Sequence, residues 1–295
     1  MIDLRYHVYS LAAVFFALAL GIVIGSSFSR LAPGSKSERK TIQRYAESMH
    51  TLKSQIEIVS KDVDRNKRIV ADLDDMITKV EPELLRGKLA YRNAAIIQTG
   101  DYDQIVTDVQ KALGEAGAQV TSVTDISRSF DFSDEQKLLK ALTESGISIS
   151  ETGQTSADRA MQFISDAVCE GRPTQLLSAL EDHGVAKFRG DYSRPNSLVI
   201  IIGGSESVDT DTSGLVDSAL IEHLNRPNTV AIGCEPFDCK VSYISTWHKL
   251  GIASVDNTDW ASGKLCTVYA LLGEKARFGV KESSDQTIPK GLETY

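Results

Sequence analysis

The sequence predicts an α/β protein: an N-terminal transmembrane helix, a long coiled-coil helix, and then a Rossmann-like, mainly parallel sheet domain. Three observations carry that prediction. Residues 8–29 hold no formal charge and are mostly Ala, Val, Leu, Ile and Phe. Between residues 42 and 84, apolar side chains recur at alternating spacings of three and four. Beyond residue 93, short apolar runs alternate with helical patterns, which is the signature of a sheet covered on both faces. The expected divisions are an anchor over 1–35, a parallel dimeric coil over 36–90, the α/β domain over 91–280 and a C-terminal tail over 281–295.

The anchor comes first. Val8 to Ser29 is 22 residues long, and as a helix it would span roughly 33 Å, enough to cross the hydrocarbon layer. A cleaved signal peptide is the competing reading, but it calls for a shorter apolar stretch and an Ala-x-Ala-like site. Gly25-Ser-Ser-Phe-Ser29 supplies neither. Small residues recur every fourth position at Ala13, Ala17, Gly21 and Gly25, a line that lets two membrane helices approach closely.

After a break at Pro33-Gly34-Ser35, the seam runs Ile42, Tyr45, Met49, Leu52, Ile56, Val59, Val63, Asn66, Val70, Leu73, Ile77, Val80 and Leu84. This is the a/d pattern of about six heptads, with mostly β-branched a positions that favour two strands. Asn66 is its one polar member, and Asp62 at g would face Lys67 at e of a parallel partner. Packing of the helix back on the globular domain as a hairpin is the alternative; a shared anchor makes the parallel dimer simpler. The acidic pair Asp74-Asp75 reads as a solvated face, and Pro82 is expected to disrupt the helix near its end.

In the domain, strands are expected at Asn93–Gly100, Gln119–Val123, Ser197–Ile202, Thr229–Gly233 and Ile252–Val255. Helices are expected from Ile105 to a stop at Gly117 and over Asp134–Ser145, Ser156–Glu170, Thr174–His183, Leu215–Leu224, Val241–Leu250 and Ala261–Leu272. Doubly wound sheets bind ligands at the carboxyl ends of their strands. Gly203, Gly204 and Ser205, with Glu206, and Asp256 and Asn257 are therefore the candidate ligand-binding residues. Gly100 lacks the further glycines of a dinucleotide fingerprint, and Ser262-Gly263-Lys264-Leu265 lacks the frame of a phosphate loop.

Chemistry is sparse. The net charge of −8 over 295 residues, with no dense basic tract, argues against nucleic acid as a partner. His7, His50, His183, His223 and His248 stand at no metal-ligand spacing, and Met1, Met49, Met76 and Met161 form no Met-rich tract. Of four cysteines, only Cys234 and Cys239 are close. They are weak candidates for a metal or a disulfide, with buried reduced thiols the commoner outcome. No Gly-x-Ser-x-Gly elbow is present. A non-enzymatic protein without a resident cofactor is expected.

The opening block, Leu4-Arg5-Tyr6-His7 followed by the apolar run to Ser26, resembles the N-terminus of the bacterial MctB-type copper transport protein family. The resemblance continues through the coil to Ser254-Val-Asp-Asn-Thr-Asp259, Gly263, Ala270–Gly273 and Phe278-Gly279. It implies a single-pass envelope protein linked to copper efflux or tolerance, with copper entering on that ground alone; a related branch partners a second membrane protein in cell division and wall remodelling. On residues alone, a dimeric scaffold presenting a recognition domain is preferred. One apolar helix and a doubly wound domain do not offer the alternating strands of a pore. Arg30, Lys36, Arg39, Lys40 and Arg44 after the helix would hold the domain in the cytoplasm. The resemblance implies the opposite side, and the expected site of the domain is extracytoplasmic, because long domains cross despite flanking charge.

Overall fold

A computed structural model describes residues 4–30, 36–148, 153–171 and 175–292. The expected break at Pro33-Gly34-Ser35 lies outside them. The chain divides into two compact units, Met1–Val70 and Ala71–Tyr295.

The first unit holds helix α1, Leu4–Arg30, and most of helix α2, Lys36–Leu85. Within α1, the 21 residues His7–Ser27 are apolar and long enough to cross a membrane, and none is buried. Ala13, Ala17, Gly21 and Gly25 are exposed with it, and open space surrounds both glycines. Along α2 the seam residues from Ile42 to Leu73, Asn66 among them, are likewise exposed.

The second unit begins inside α2, well before the expected boundary at residue 91, because the last turns of that helix are part of its core. Leu85 and Leu89 are fully buried, and Ile77 and Leu84 pack against the same cluster. Ile77 therefore serves the domain and not the free seam. Asp74 also departs from its expected solvated role: its Oδ1 accepts from the Ala261 amide at 2.9 Å, placing a carboxylate on a helix N-terminus that no nearer side chain caps. Pro82 lies inside the helix, which runs on to Leu85. The missing N–H leaves only the exposed Thr78 carbonyl without its bond, while Arg86 N closes the final turn on Pro82 O at 3.1 Å.

Seven strands form one sheet in the order β3-β2-β1-β4-β5-β6-β7. They are β1 (Asn93–Gln98), β2 (Gln119–Ile126), β3 (Ala186–Gly190), β4 (Leu198–Ile202), β5 (Val230–Cys234), β6 (Ala253–Val255) and β7 (Arg277–Phe278). All neighbours run parallel except β2 and β3. The central strands are apolar on both faces. Ala95 and Ile97 of β1 and Val199 and Ile201 of β4 enter one cluster; Ala94, Ile96, Leu198, Ile200 and Ile202 enter the other. Helices α3 (Asp103–Glu115) and α9 (Ala261–Leu271) cover the second face with the end of α2. The first is covered by α4 (Glu135–Glu144), α5 (Ser156–Asp166), α6 (Gln175–Asp182), α7 (Ser218–Leu224) and α8 (Ile244–Lys249).

Local signals mark two of the helix starts. Asp134 caps α4 through the Lys137 amide, and Thr155 caps α5 through the Asp158 amide. Two strands escape the sequence reading. β3, Ala-Lys-Phe-Arg-Gly, is an antiparallel edge whose Lys187 and Arg189 are exposed, charges that deter further pairing. The two-residue β7 pairs with β6 on one side and bridges to Gln286 on the other. Residues 281–292 fold back on the domain instead of forming a free tail: Lys290 N reaches Glu274 at 2.8 Å, and Arg277 is paired with Asp285.

Candidate functional site

The strand order reverses between β1 and β4, so the carboxyl ends of these strands are where a doubly wound sheet opens a crevice. Here the chain closes it with its own backbone. Thr99 N and Gly100 N both donate to Ile202 O, at 2.8 and 3.0 Å, and Asp101 N donates to Gly204 O at 3.0 Å. A Cβ on Gly100 would lie 2.2 Å from Gly204 O, so only glycine permits that approach. Asp101 then ties the loops together, its Oδ2 accepting from Glu206 N at 2.9 Å and Thr210 Oγ1 at 2.7 Å. Gly203, Gly204 and Ser205 are thus the material of the closure. Ser205 is buried and pairs with Val241.

The closure leaves a cleft of about 340 Å³ beside it, between the loop after β2 and the loop after β4. Phe130, Phe132, Leu215 and Val216 supply its apolar lining, and Asp131, Asp209, Asp211 and Arg128 its charge. Arg128 is held by three carboxylates, Asp125 at 2.8 Å and Asp101 and Asp103 each at 3.4 Å. Asp131 accepts from Ser133 Oγ and Ser133 N, bonds that hold its carboxyl below the usual range. Asp211 likewise accepts from Ser213 N at 2.9 Å.

Beneath the closure, Asp217 is fully buried and accepts from Trp247 Nε1 at 2.6 Å. Burial pushes its carboxyl up to about 7, against the opposing hydrogen bond from Trp247.

A second polar cluster sits at the carboxyl end of β5. Glu235, 0 % exposed, accepts from Ser242 Oγ at 2.6 Å and Lys281 Nζ at 2.7 Å on one oxygen, and from Tyr243 N at 2.8 Å on the other. Val241 is taken by its antiparallel bridge to Ser205, so α8 begins at Ile244 rather than at the expected Val241. Lys281 Nζ also reaches Pro236 O and Cys239 Sγ, each at 3.1 Å. Burial alone would lower the Lys281 ammonium, but Glu235 outweighs it and the net shift is upward. A buried carboxylate whose oxygens are all engaged this way is a fixed structural ion pair. Asp256 accepts from Val280 N at 2.9 Å and Lys281 N at 3.2 Å, holding the segment that delivers the lysine. Asn257 Nδ2 bonds Ser262 Oγ at 3.1 Å at the start of α9. A Cβ at Gly263 would meet Asn257 O at 1.9 Å, so this glycine serves close packing.

All four cysteines are free. Cys234 is enclosed, its Sγ 3.6 Å from Thr267 Oγ1, and burial raises its thiol to about 11. Cys239 is half-buried beside Lys281; burial, and then Glu235, push it up to about 12. Among the described residues, no three or more His, Cys, Asp or Glu side chains are grouped to hold a metal ion. Cys234 Sγ is engaged by Thr267 Oγ1 and Cys239 Sγ by Lys281 Nζ, so a metal at either thiol would have to displace that contact.

The residue pattern does not single out Glu235, Lys281, Asp217 or Arg128. Glu235 carries a visible signal, a carboxylate immediately after a buried strand. Lys281 carries none, because the return of the chain through β7 places it.

Residues 1–289 match the model of the family described as "Copper transport outer membrane protein, MctB". Among curated relatives, the protein named "Copper transporter MctB" of Mycobacterium tuberculosis is 24 % identical, with 92 % of each chain covered, as is that of Mycobacterium bovis. The protein of the same name from Mycobacterium leprae is 22 % identical over 98 % of this chain and 100 % of its own. A match that takes in both the apolar helix and the α/β unit establishes that this chain belongs to the MctB family.

Proposed function

We propose that this chain is a membrane-anchored, non-catalytic protein serving copper transport or homeostasis, with its α/β domain outside the cytoplasm. The carrying observation is the family match from residue 1 to 289, together with relatives named copper transporters over most of their length. A non-catalytic role is supported by the carboxyl-edge crevice, whose space is taken by the Thr99–Asp101 and Gly203–Glu206 backbones. The copper role rests on the family match and not on chelation by Cys234 and Cys239. Deleting the gene should raise sensitivity to copper salts, and full-length protein should restore tolerance. Unchanged sensitivity together with a flat copper titration of the purified chain would sink the proposal. Protease treatment of intact cells should cleave the domain if it lies outside.

A second reading is favoured by the exposed seam from Ile42 to Leu73. In it the chain is a parallel homodimer, joined through α1 and α2, that presents the α/β domain to a second membrane protein or to a wall or division complex. Heptad packing would bury side chains that one chain leaves in water. Membrane crosslinking is expected to trap a species of twice the chain mass; monomers alone would overturn this reading.

A further inference from the structure

One carboxylic acid lies buried where the last turns of α2 meet the domain. Glu81 is 4 % exposed, and its Oε1 has no hydrogen-bond partner. It stands one heptad after Asp74, so the two share a side of α2, and Asp74 is fixed to the start of α9 through the Ala261 amide at 2.9 Å. On the same turns Ile77, Leu84 and Leu85 pack into the cluster that α3 and α9 help to form. The Glu81 carboxyl is therefore pressed into a junction of three helices, where one of its oxygens meets no donor.

The charged groups that face it are paired elsewhere. On α9, Lys264 lies 4.0 Å from Asp108 of α3. On α3, Lys111 lies 3.9 Å from Glu115. On α2 itself, the Asp74 carboxylate holds the α9 amide. Burial lifts the Glu81 carboxyl from an ordinary 4.5 to about 7; Lys264 and Lys111 pull the other way, and Glu115 and Asp74 add to the rise. Such a site accepts the neutral acid far more readily than the carboxylate, because a buried charge without compensation costs more than a buried neutral polar group.

We infer that the end of α2 is a proton-operated latch: Glu81 enters the α2–α3–α9 junction as the neutral acid, and its ionisation loosens the last turns of α2 from α3 and α9. Release returns the carboxyl to water and to its ordinary proton affinity. Between 4.5 and about 7 the docked helix therefore binds more protons than the released one. Docking is tightest at the acid end of that window, weakens as pH rises through it, and changes no further above it. The released state is a local opening in which the sheet stays folded. Since α2 runs from this junction back to Lys36, the latch acts on the element that joins the domain to the rest of the chain.

Hydrogen exchange of the full-length chain in detergent, followed by mass spectrometry from about pH 4.5 to 8 and corrected for intrinsic rates, tests this. In a peptide covering residues 77–85, the opening constant should rise on the order of a hundredfold across that range. Peptides covering β1 and β4 report global unfolding, and Asp217→Asn as background removes the pH dependence of that buried group. Glu81→Gln keeps the shape of the side chain without its charge, and should leave residues 77–85 equally protected at every pH. A pH dependence as steep in Glu81→Gln as in the parent would overturn the latch. So would exchange at 77–85 that tracks β1 and β4 throughout, because release would then be global. If Glu81→Gln does not fold, Lys264→Met gives a second measure. Loss of the attracting cation should move the loosening to higher pH, and an unmoved or lowered midpoint would overturn the inference.

Discussion

Ile97 and Ile56 are the same side chain under opposite conditions. Ile97, in a central strand, is 0 % exposed among helices and neighbouring strands; Ile56, on α2, is 62 % exposed. The α/β unit satisfies its apolar residues internally, with two clusters enclosing one sheet. The helical unit satisfies almost none, neither along α1 nor along the seam. An apolar surface left in water over this length marks a place for something outside the chain: in our proposal, lipid for α1 and a second copy for α2. The unit that is complete alone joins its loops by backbone hydrogen bonds at the switch point, and the incomplete one leaves its apolar stripes exposed.

Perturbations should separate the two. The largest effect is expected from Trp247→Ala, which empties a fully buried site against Gly203 and Gly233 and removes the Asp217 hydrogen bond. It should cost the α/β unit about 3–5 kcal/mol in denaturant unfolding. Asp217→Asn comes next and depends on pH. Its carboxyl rises from an ordinary 3.8 to about 7 in the folded chain, so between those values the native state binds more protons than the unfolded state. Stability from this group accordingly falls as pH rises through that window. Asp217→Asn should remove that slope, so that its advantage over wild type grows from nothing near pH 4 to about a few kcal/mol above pH 7. Parallel melts of the two proteins would show it. Glu81, which burial also raises to about 7, acts in the same direction.

Asp74→Ala should cost about 1 kcal/mol by removing the cap on α9, and amide exchange should quicken at Ala261. The smallest change belongs to the other unit. Ile56→Ala should alter unfolding of the α/β unit by less than about 0.5 kcal/mol, since an exposed side chain loses little there. Its effect should appear as reduced cross-linked dimer. A large loss of domain stability from Ile56→Ala would break the contrast between the units.

Elements whose residues alternate or repeat by themselves are legible in the amino-acid pattern. Five of the seven strands and the run of helices follow from apolar periods and from the stop at Gly117, because these signals are local. β3 is not legible, since its charges mask its alternation, and β7 is too short to carry a period. The candidate site is legible only as a location. Gly203, Gly204, Asp256 and Asn257 do stand at strand ends, yet they close loops there, and that outcome depends on residues about a hundred positions away, such as Gly100 against Gly204.

By itself the sequence determined the apolar helix, the heptad period and the α/β class, because each is written in the spacing of neighbours along the chain. Tertiary structure alone decided which side of α2 stays exposed at its last turns. Burial of Ile77, Glu81, Leu84 and Leu85 is a contact between distant segments, and no local period distinguishes an apolar residue that faces its own domain from one that faces another chain.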